Sequence, residues 1–249
     1  MQQFVLSRRM LIGSAFSLSL CPSVVFASRT RWSEEAVSAG RAAAEACCRH
    51  QFVTGLADGS LARSRFLFYI AQNIHYLRGY ERTLRQIASR LDRRELRDRF
   101  NAWADETSQT EAWTRGVYVD FGGADPDRVP ICPAAQLYSG WEAQAASQLS
   151  VAEAVAAALP CFWVYGEVGH YVARVRKTDG NPYADWLSGY GDPAYDSSVA
   201  QALDVGDELA ANLSEREREA MTAAFVRSCR MEWMLFDAAW REETWPDMM

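Results

Sequence analysis

Phe66-Leu67-Phe68-Tyr69-Ile70-Ala71-Gln72-Asn73-Ile74-His75-Tyr76-Leu77-Arg78-Gly79-Tyr80-Glu81-Arg82-Thr83-Leu84-Arg85-Gln86-Ile87-Ala88-Ser89-Arg90-Leu91 is the stretch from which the fold is read. Its apolar and aromatic residues Phe66, Tyr69, Ile70, Tyr76, Leu77, Tyr80, Leu84, Ile87 and Leu91 recur at helical spacing and predict one long amphipathic helix. On its N-terminal side, Trp32 to Val53 is rich in Ala and Glu and predicts a helix closed by a turn through Gly55, Asp58 and Gly59. On its C-terminal side a helix is expected from Arg93 to Val119, anchored by Phe100, Trp103 and Trp113. Residues 120–135 hold Gly122, Gly123 and three of the eight prolines and read as the longest irregular segment. Helix is expected again over Ala134–Leu149, Ala152–Val175, a short piece from Asn181-Pro182 to Gly189, and Pro193 to about Asn212. Ser214 and Glu217 form a capping box, which starts a last helix from Glu215 to about Glu243. No segment alternates apolar and polar residues long enough to be a strand, and no linker divides the chain. The fold class is all-α, a single helical domain over residues 28–249.

Composition restricts the function. The 249 residues carry a formal charge of −6, with 49% apolar and 12% aromatic side chains, which suits a sizeable core. An acidic chain lacks the basic footprint that displaces counterions from phosphates, so no nucleic-acid partner is expected. The first 27 residues are read as a targeting segment. Ser7-Arg8-Arg9-Met10-Leu11-Ile12 leads into an apolar run that ends at Val25-Phe26-Ala27 with small residues where signal peptidase requires them. Paired arginines before a leucine resemble the twin-arginine export signal, which implies a periplasmic mature protein. Beyond residue 27 no segment is expected to be long and apolar enough to span a bilayer, so no stable membrane insertion is expected after cleavage.

Five cysteines follow that segment: Cys47, Cys48, Cys132, Cys161 and Cys229. They form no CxxC pair, so neither a zinc ribbon nor a thioredoxin-type site is indicated. A free buried cysteine ordinarily packs as a small apolar residue, and only Cys161 has a context that goes beyond this.

Three features place polar groups on apolar helix faces. Asn73 falls on the stripe of Tyr69, Ile70, Tyr76 and Tyr80, where an unsatisfied amide costs about 1–3 kcal/mol. Glu232 is flanked at helical spacing by Phe225, Ser228, Leu235 and Phe236, and burial of such a carboxyl raises its pKa toward neutrality. A structural pairing with one of the many arginines is the competing reading of that residue. Pro160-Cys161-Phe162-Trp163-Val164-Tyr165 puts a thiol beside a proline, which frees a helix carbonyl and often marks a cavity. Such a thiol, with a phenol one turn on, has the make-up of a nucleophile.

The blocks Tyr69–Leu77, Leu159–Gly169, Asn181–Tyr190 and Phe225–Glu232, the last continuing through Phe236–Trp240 and Glu243–Trp245, resemble the TenA (thiaminase II) family in order and spacing over roughly residues 33–245. The resemblance implies a haem-oxygenase-like helical bundle that assembles as a homo-oligomer, a tetramer or dimer. It also implies hydrolysis of the bond between a 4-amino-2-methylpyrimidine methylene carbon and its leaving group. That group is ammonia from aminomethyl-pyrimidine, or the thiazolium of thiamin. By position, Cys161 matches the nucleophile that adds to the ring, and Glu232 matches the acid/base that protonates a ring nitrogen. Tyr76, Tyr138 and Tyr190 match tyrosines that touch substrate or the catalytic groups, and Tyr165 matches a tyrosine one turn after the cysteine. Asn73 stands where the family has an aspartate that binds the aminopyrimidine, which keeps the shape and removes a charge. An export signal is the second departure from a family that works mostly beside cytoplasmic thiamin synthesis.

Other chemistries are less well supported. Glu167-Val168-Gly169-His170 has the ExxH spacing of di-iron helices, but the second such motif is missing, since Cys47 and Gln72 precede His50 and His75 by three residues. His50 reads as a helix-end residue rather than a haem ligand. No metal or organic cofactor is expected. The rival reading is a non-catalytic periplasmic binder of aminopyrimidines, which has use for the aromatic residues and Asn73 but none for Cys161 and Glu232 together.

Overall fold

The structure, a computed structural model, describes residues 30–247; the export signal expected at residues 1–27 lies outside them. The described residues form helices α1 (Trp32–Cys48), α2 (Gln51–Asp58), α3 (Arg63–Arg90), α4 (Arg94–Asp120), α5 (Pro133–Gln148), α6 (Val151–Ala158), α7 (Pro160–Val175), α8 (Pro193–Ala210) and α9 (Glu215–Arg241), with two 3₁₀ turns and no strand. The stretch that opens the sequence analysis becomes α3, and its apolar face packs between α4 and α5 and against α9. The second organising helix is α9, which runs against α1, α6 and α7. Rings carry much of the packing: Phe52 and Tyr69 lie on Phe236, while Phe225 joins Trp32 and Trp163.

Helix starts follow local chemistry. The Ser214–Glu217 box is present, with the glutamate accepting from the Ser214 amide at 2.8 Å, and Ser150–Glu153 forms a second one. The helix expected over Trp32–Val53 is interrupted at His50. That residue is extended, and its Nδ1 accepts the Phe52 amide at 3.1 Å, so an imidazole does the capping that Ser or Asp usually does. The expected Ala152–Val175 helix is likewise two, because Pro160 has no amide to give and the ladder restarts at α7. The short helix expected at Asn181–Gly189 is a chain of turns that tightens to 3₁₀ only at Trp186–Gly189. There the Asn181 side chain accepts the Tyr183 amide at 2.8 Å and donates to the Leu56 and Ala57 carbonyls, tying the loop to the end of α2.

One expectation is corrected. Val151–Val175 is long and apolar enough, with mean hydropathy 1.3 over an 18-residue window, to cross a membrane by length and composition. In the fold 67% of that window is buried, and the break at Leu159–Pro160 divides it.

Candidate active site

Helices α3, α4, α7 and α8 and the loop at 186–192 enclose a cavity of about 420 Å³. Asn73, Tyr76, Cys161, Tyr165 and Tyr190, all singled out from sequence, line it together. The remaining two, Tyr138 and Glu232, are buried and are not among the lining residues. The Tyr138 ring stacks on that of Tyr76 at 4.8 Å, and its hydroxyl donates to Glu232 Oε1 at 2.8 Å. Tyr138 thus serves the carboxyl rather than the cavity.

Backbone geometry explains where Cys161 stands. Pro160 and Cys161 occupy the first turn of α7, whose Phe162 and Trp163 amides are already taken by the Leu159 carbonyl at 3.0 and 3.1 Å. The α6 end beside it is satisfied by side chains: Tyr80 donates to the Ala158 carbonyl at 2.8 Å. Burial pushes the thiol well up, the Glu232 and Glu142 charges add to this, and the Tyr76 and Tyr80 hydroxyls offset only part of it. Cys161 therefore rests as a thiol and needs a base before it can attack. Glu232 is pushed up to about 7 by burial, against the pull of its Tyr138 hydrogen bond, and its Oε2 has no partner. A carboxyl in that range gives and takes protons near neutrality.

The walls are aromatic. Tyr69 and Tyr165 share a hydrogen bond, Trp186 donates to the Tyr190 hydroxyl at 3.2 Å, and Trp113 stacks on Trp186 at 5.0 Å. Gly191, at φ +81°, lets the loop lie against α7, since a Cβ there would stand 2.8 Å from the Ala173 Cβ. Asn73 is half-buried, and no described residue hydrogen-bonds its side-chain amide, so both of its functions are open to a ligand. Glu106, Asp192 and Asp196 complete the lining, which includes no Lys or Arg.

Sequence reasoning missed one member of the site. Glu142 on α5 is fully buried, accepts the Tyr76 hydroxyl at 3.0 Å through Oε1, and leaves Oε2 without a partner. Its signal was the one that exposed Glu232, a carboxylate among apolar neighbours at helical spacing, here Ala135, Tyr138, Trp141, Ala145 and Ala146.

The residues of the ExxH motif point elsewhere: Glu167 pairs with Arg41 at 2.8 Å and His170 with Asp196 at 2.8 Å. Among the described residues no group of three or more His, Cys, Asp or Glu side chains is arranged to hold a metal ion.

A helical bundle around an aromatic cavity, with one thiol in its lining and a carboxyl raised toward neutrality behind it, has the make-up of a nucleophilic hydrolase. Residues 38–242 match the TENA/THI-4/PQQC family, and the chain belongs to it. It is 30% identical to the aminopyrimidine aminohydrolase of Bacillus subtilis, over 87% of this chain and 93% of that one. It is 29% identical to the thiamine biosynthesis multifunctional protein ThiED of Corynebacterium efficiens, over 77% of this chain but only 26% of that much longer protein. Among solved structures, a TenA homologue from Pyrococcus furiosus superposes with a TM-score of 0.78 at 17% identity, covering 84% of this chain and 99% of that one. A domain of unknown function with a heme oxygenase-like fold from Shewanella denitrificans gives 0.64 at 12% identity, covering 86% of this chain and 94% of that one, and shares the fold.

Proposed function

We propose that the protein hydrolyses the C–N bond joining the methylene carbon of a 4-amino-2-methylpyrimidine to its leaving group, with Cys161 as nucleophile and Glu232 as acid/base. The observation that carries this reading is an aromatic cavity lined by Cys161 and Tyr76, with Glu232 buried behind it on the hydroxyl of Tyr138, whose ring stacks on Tyr76. Glu232 gives its proton to a ring nitrogen, and the ring accepts the Cys161 sulfur as the thiol gives its proton to a neighbouring base. The electron pair of the methylene–nitrogen bond leaves with the protonated amine as ammonia. Water then adds at the methylene carbon and loses a proton, the ring nitrogen returns its proton to Glu232, and the sulfur leaves as thiolate and regains its own. Stacked tyrosine and tryptophan rings hold the heterocycle and keep bulk water out. Asn73 offers the pyrimidine both a donor and an acceptor in place of a charge.

Aminomethyl-pyrimidine and thiamin, supplied separately to the purified protein under reducing conditions, test the reading by chromatographic detection of hydroxymethyl-pyrimidine. Release that disappears in Cys161→Ala supports it. Release that rises in Asn73→Asp identifies residue 73 as the group that tunes turnover. No release from the parent or from Asn73→Asp, with saturable pyrimidine binding by calorimetry, sinks the enzyme and leaves a binding protein. The Arg8-Arg9 segment supports a further part of the proposal, that the enzyme works on scavenged fragments in the periplasm. Recovery in the periplasmic fraction, lost in an Arg8→Lys/Arg9→Lys variant, checks it.

A further inference from the structure

Glu142 is a buried acid that the proposed chemistry does not use. It sits at 0% exposure with one oxygen on the Tyr76 hydroxyl and the other unpartnered. Leaving a buried carboxyl half-satisfied costs stability, so an acid held in this way suits a working role. Glu232 is held in the same manner on the other side of the stacked pair, with Tyr138 on one oxygen and nothing on the second. Each carboxyl therefore has a tyrosine hydroxyl on one oxygen, Tyr138 also reaches toward Glu142, and the two rings are 4.8 Å apart.

We propose that Glu142 and Glu232 form a coupled acid–base pair sharing one proton, in which Glu142 serves Cys161 through the Tyr76 hydroxyl while Glu232 serves the substrate ring. This rests on the hydrolase reading and assigns the base that the reading lacks. Ring protonation consumes a proton just as thiol attack releases one, and a single carboxyl cannot hold a proton for the ring while accepting another from sulfur. Tyr76 and Cys161 line the cavity together, and the Tyr76 O–H, directed to Glu142, leaves its oxygen lone pairs able to accept the Cys161 S–H. The S–H proton passes to the Tyr76 oxygen as the Tyr76 proton passes to Glu142, and the sulfur electron pair forms the bond to ring carbon. When the C–S bond breaks, the sulfur regains that pair and the proton returns by the same route. Glu142 acts through Tyr76 and is a positioning residue in that sense.

The groups facing Glu142 are Tyr76 and Tyr80 from α3, Tyr138 from its own helix, Cys161 from α7 and Glu232 from α9, none of them a cation. Burial first, then the Glu232 charge, raises Glu142 well above the usual carboxylate range, so the pair keeps one proton near neutrality; before substrate binds it rests on Glu142, and the relay works from the form in which that proton lies on Glu232.

Two measurements test the pair. Infrared titration of the buried carboxylic C=O band in the parent is expected to show two separated steps. Glu142→Gln and Glu232→Gln are each expected to show one step, at lower pH than the parent's upper step. A single variant that titrates at the parent's upper step overturns the shared proton, whatever the enzyme's substrate. In turnover of aminomethyl-pyrimidine, Glu142→Gln is expected to lower kcat about 100-fold with KM changed less than about threefold. Its pH profile loses the acidic limb and keeps the alkaline fall, and Glu142→Asp regains part of both rate and limb. A Glu142→Gln enzyme with the parent's kcat, or with a reduced rate but both limbs intact, overturns the relay. A parent that titrates in two steps but releases no product overturns the hydrolase reading and the relay, and leaves the shared proton.

Discussion

Glu232 is protonated in the folded chain at pH values where an exposed glutamate is ionised, because burial raises its pKa from 4.5 to about 7. The folded state therefore binds more protons than the unfolded state between those values, and stability falls as pH rises. The contribution is fully present below about 4.5 and is lost as pH passes through about 7, a difference of about 3 kcal/mol. Glu232→Gln lacks that share, so its melting temperature is expected to change several degrees less than the parent's between pH 5 and pH 8. Equal pH dependence in both proteins shows that Glu232 is not held neutral. The residue was legible in sequence because Phe225, Ser228, Leu235 and Phe236 surround it at helical spacing. Glu142 carried a similar pattern but lies outside the blocks that carry the family likeness. What joins it to the cavity is Tyr76, a lining residue 66 positions earlier in the chain, a contact no periodicity reveals.

The helices were legible wherever apolar spacing and capping chemistry agreed, as in α3, α4 and α9. The breaks were not: an imidazole caps α2, and an asparagine bound to two carbonyls of α2 turns the 181–190 segment away from helix. Both depend on groups distant in sequence or atypical for the role. Close packing between helices is equally silent in the sequence. A Cβ on Gly206 of α8 would lie 2.4 Å from the Trp32 ring and 3.2 Å from Leu159. Trp32 is fully buried and its indole N–H is held by Thr222 at 3.0 Å, so it has no room to yield. Gly206→Ala is expected to destabilise by about 1–3 kcal/mol despite alanine's better helix propensity. Gly116, exposed in the interior of α4 with nothing within 4 Å of its Cβ position, is the control. Gly116→Ala is expected to stabilise by about 0.5–1 kcal/mol. Chemical denaturation of both variants checks the pair, and two shifts of the same sign refute the packing argument.

At the scale of the whole molecule, charge and cavity act in one direction. The chain is acidic overall, and the cavity lining adds Glu106, Asp192 and Asp196 without a Lys or Arg. An aromatic chamber with carboxylates at its edge favours a flat cationic heterocycle and repels anions. The proposed substrates, an aminomethyl-pyrimidine protonated at its amine and the thiazolium of thiamin, have that character. A phosphate ester adds about −2 charge at neutral pH. At roughly 8 Å in water each unit pair costs about 0.5 kcal/mol, so one phosphate facing Glu106 and Asp192, the lining carboxylates outside the His170 pair, loses well over 1 kcal/mol. Thiamin phosphate is therefore expected to bind at least about tenfold more weakly than thiamin at low ionic strength. The gap is expected to narrow as salt shortens the screening length. Calorimetric titration of the Cys161→Ala protein with both compounds, at low and high salt, separates binding from turnover. Equal affinities at low salt mean that the carboxylates do not act on the ligand, and the preference for unphosphorylated pyrimidines then rests on the aromatic walls alone.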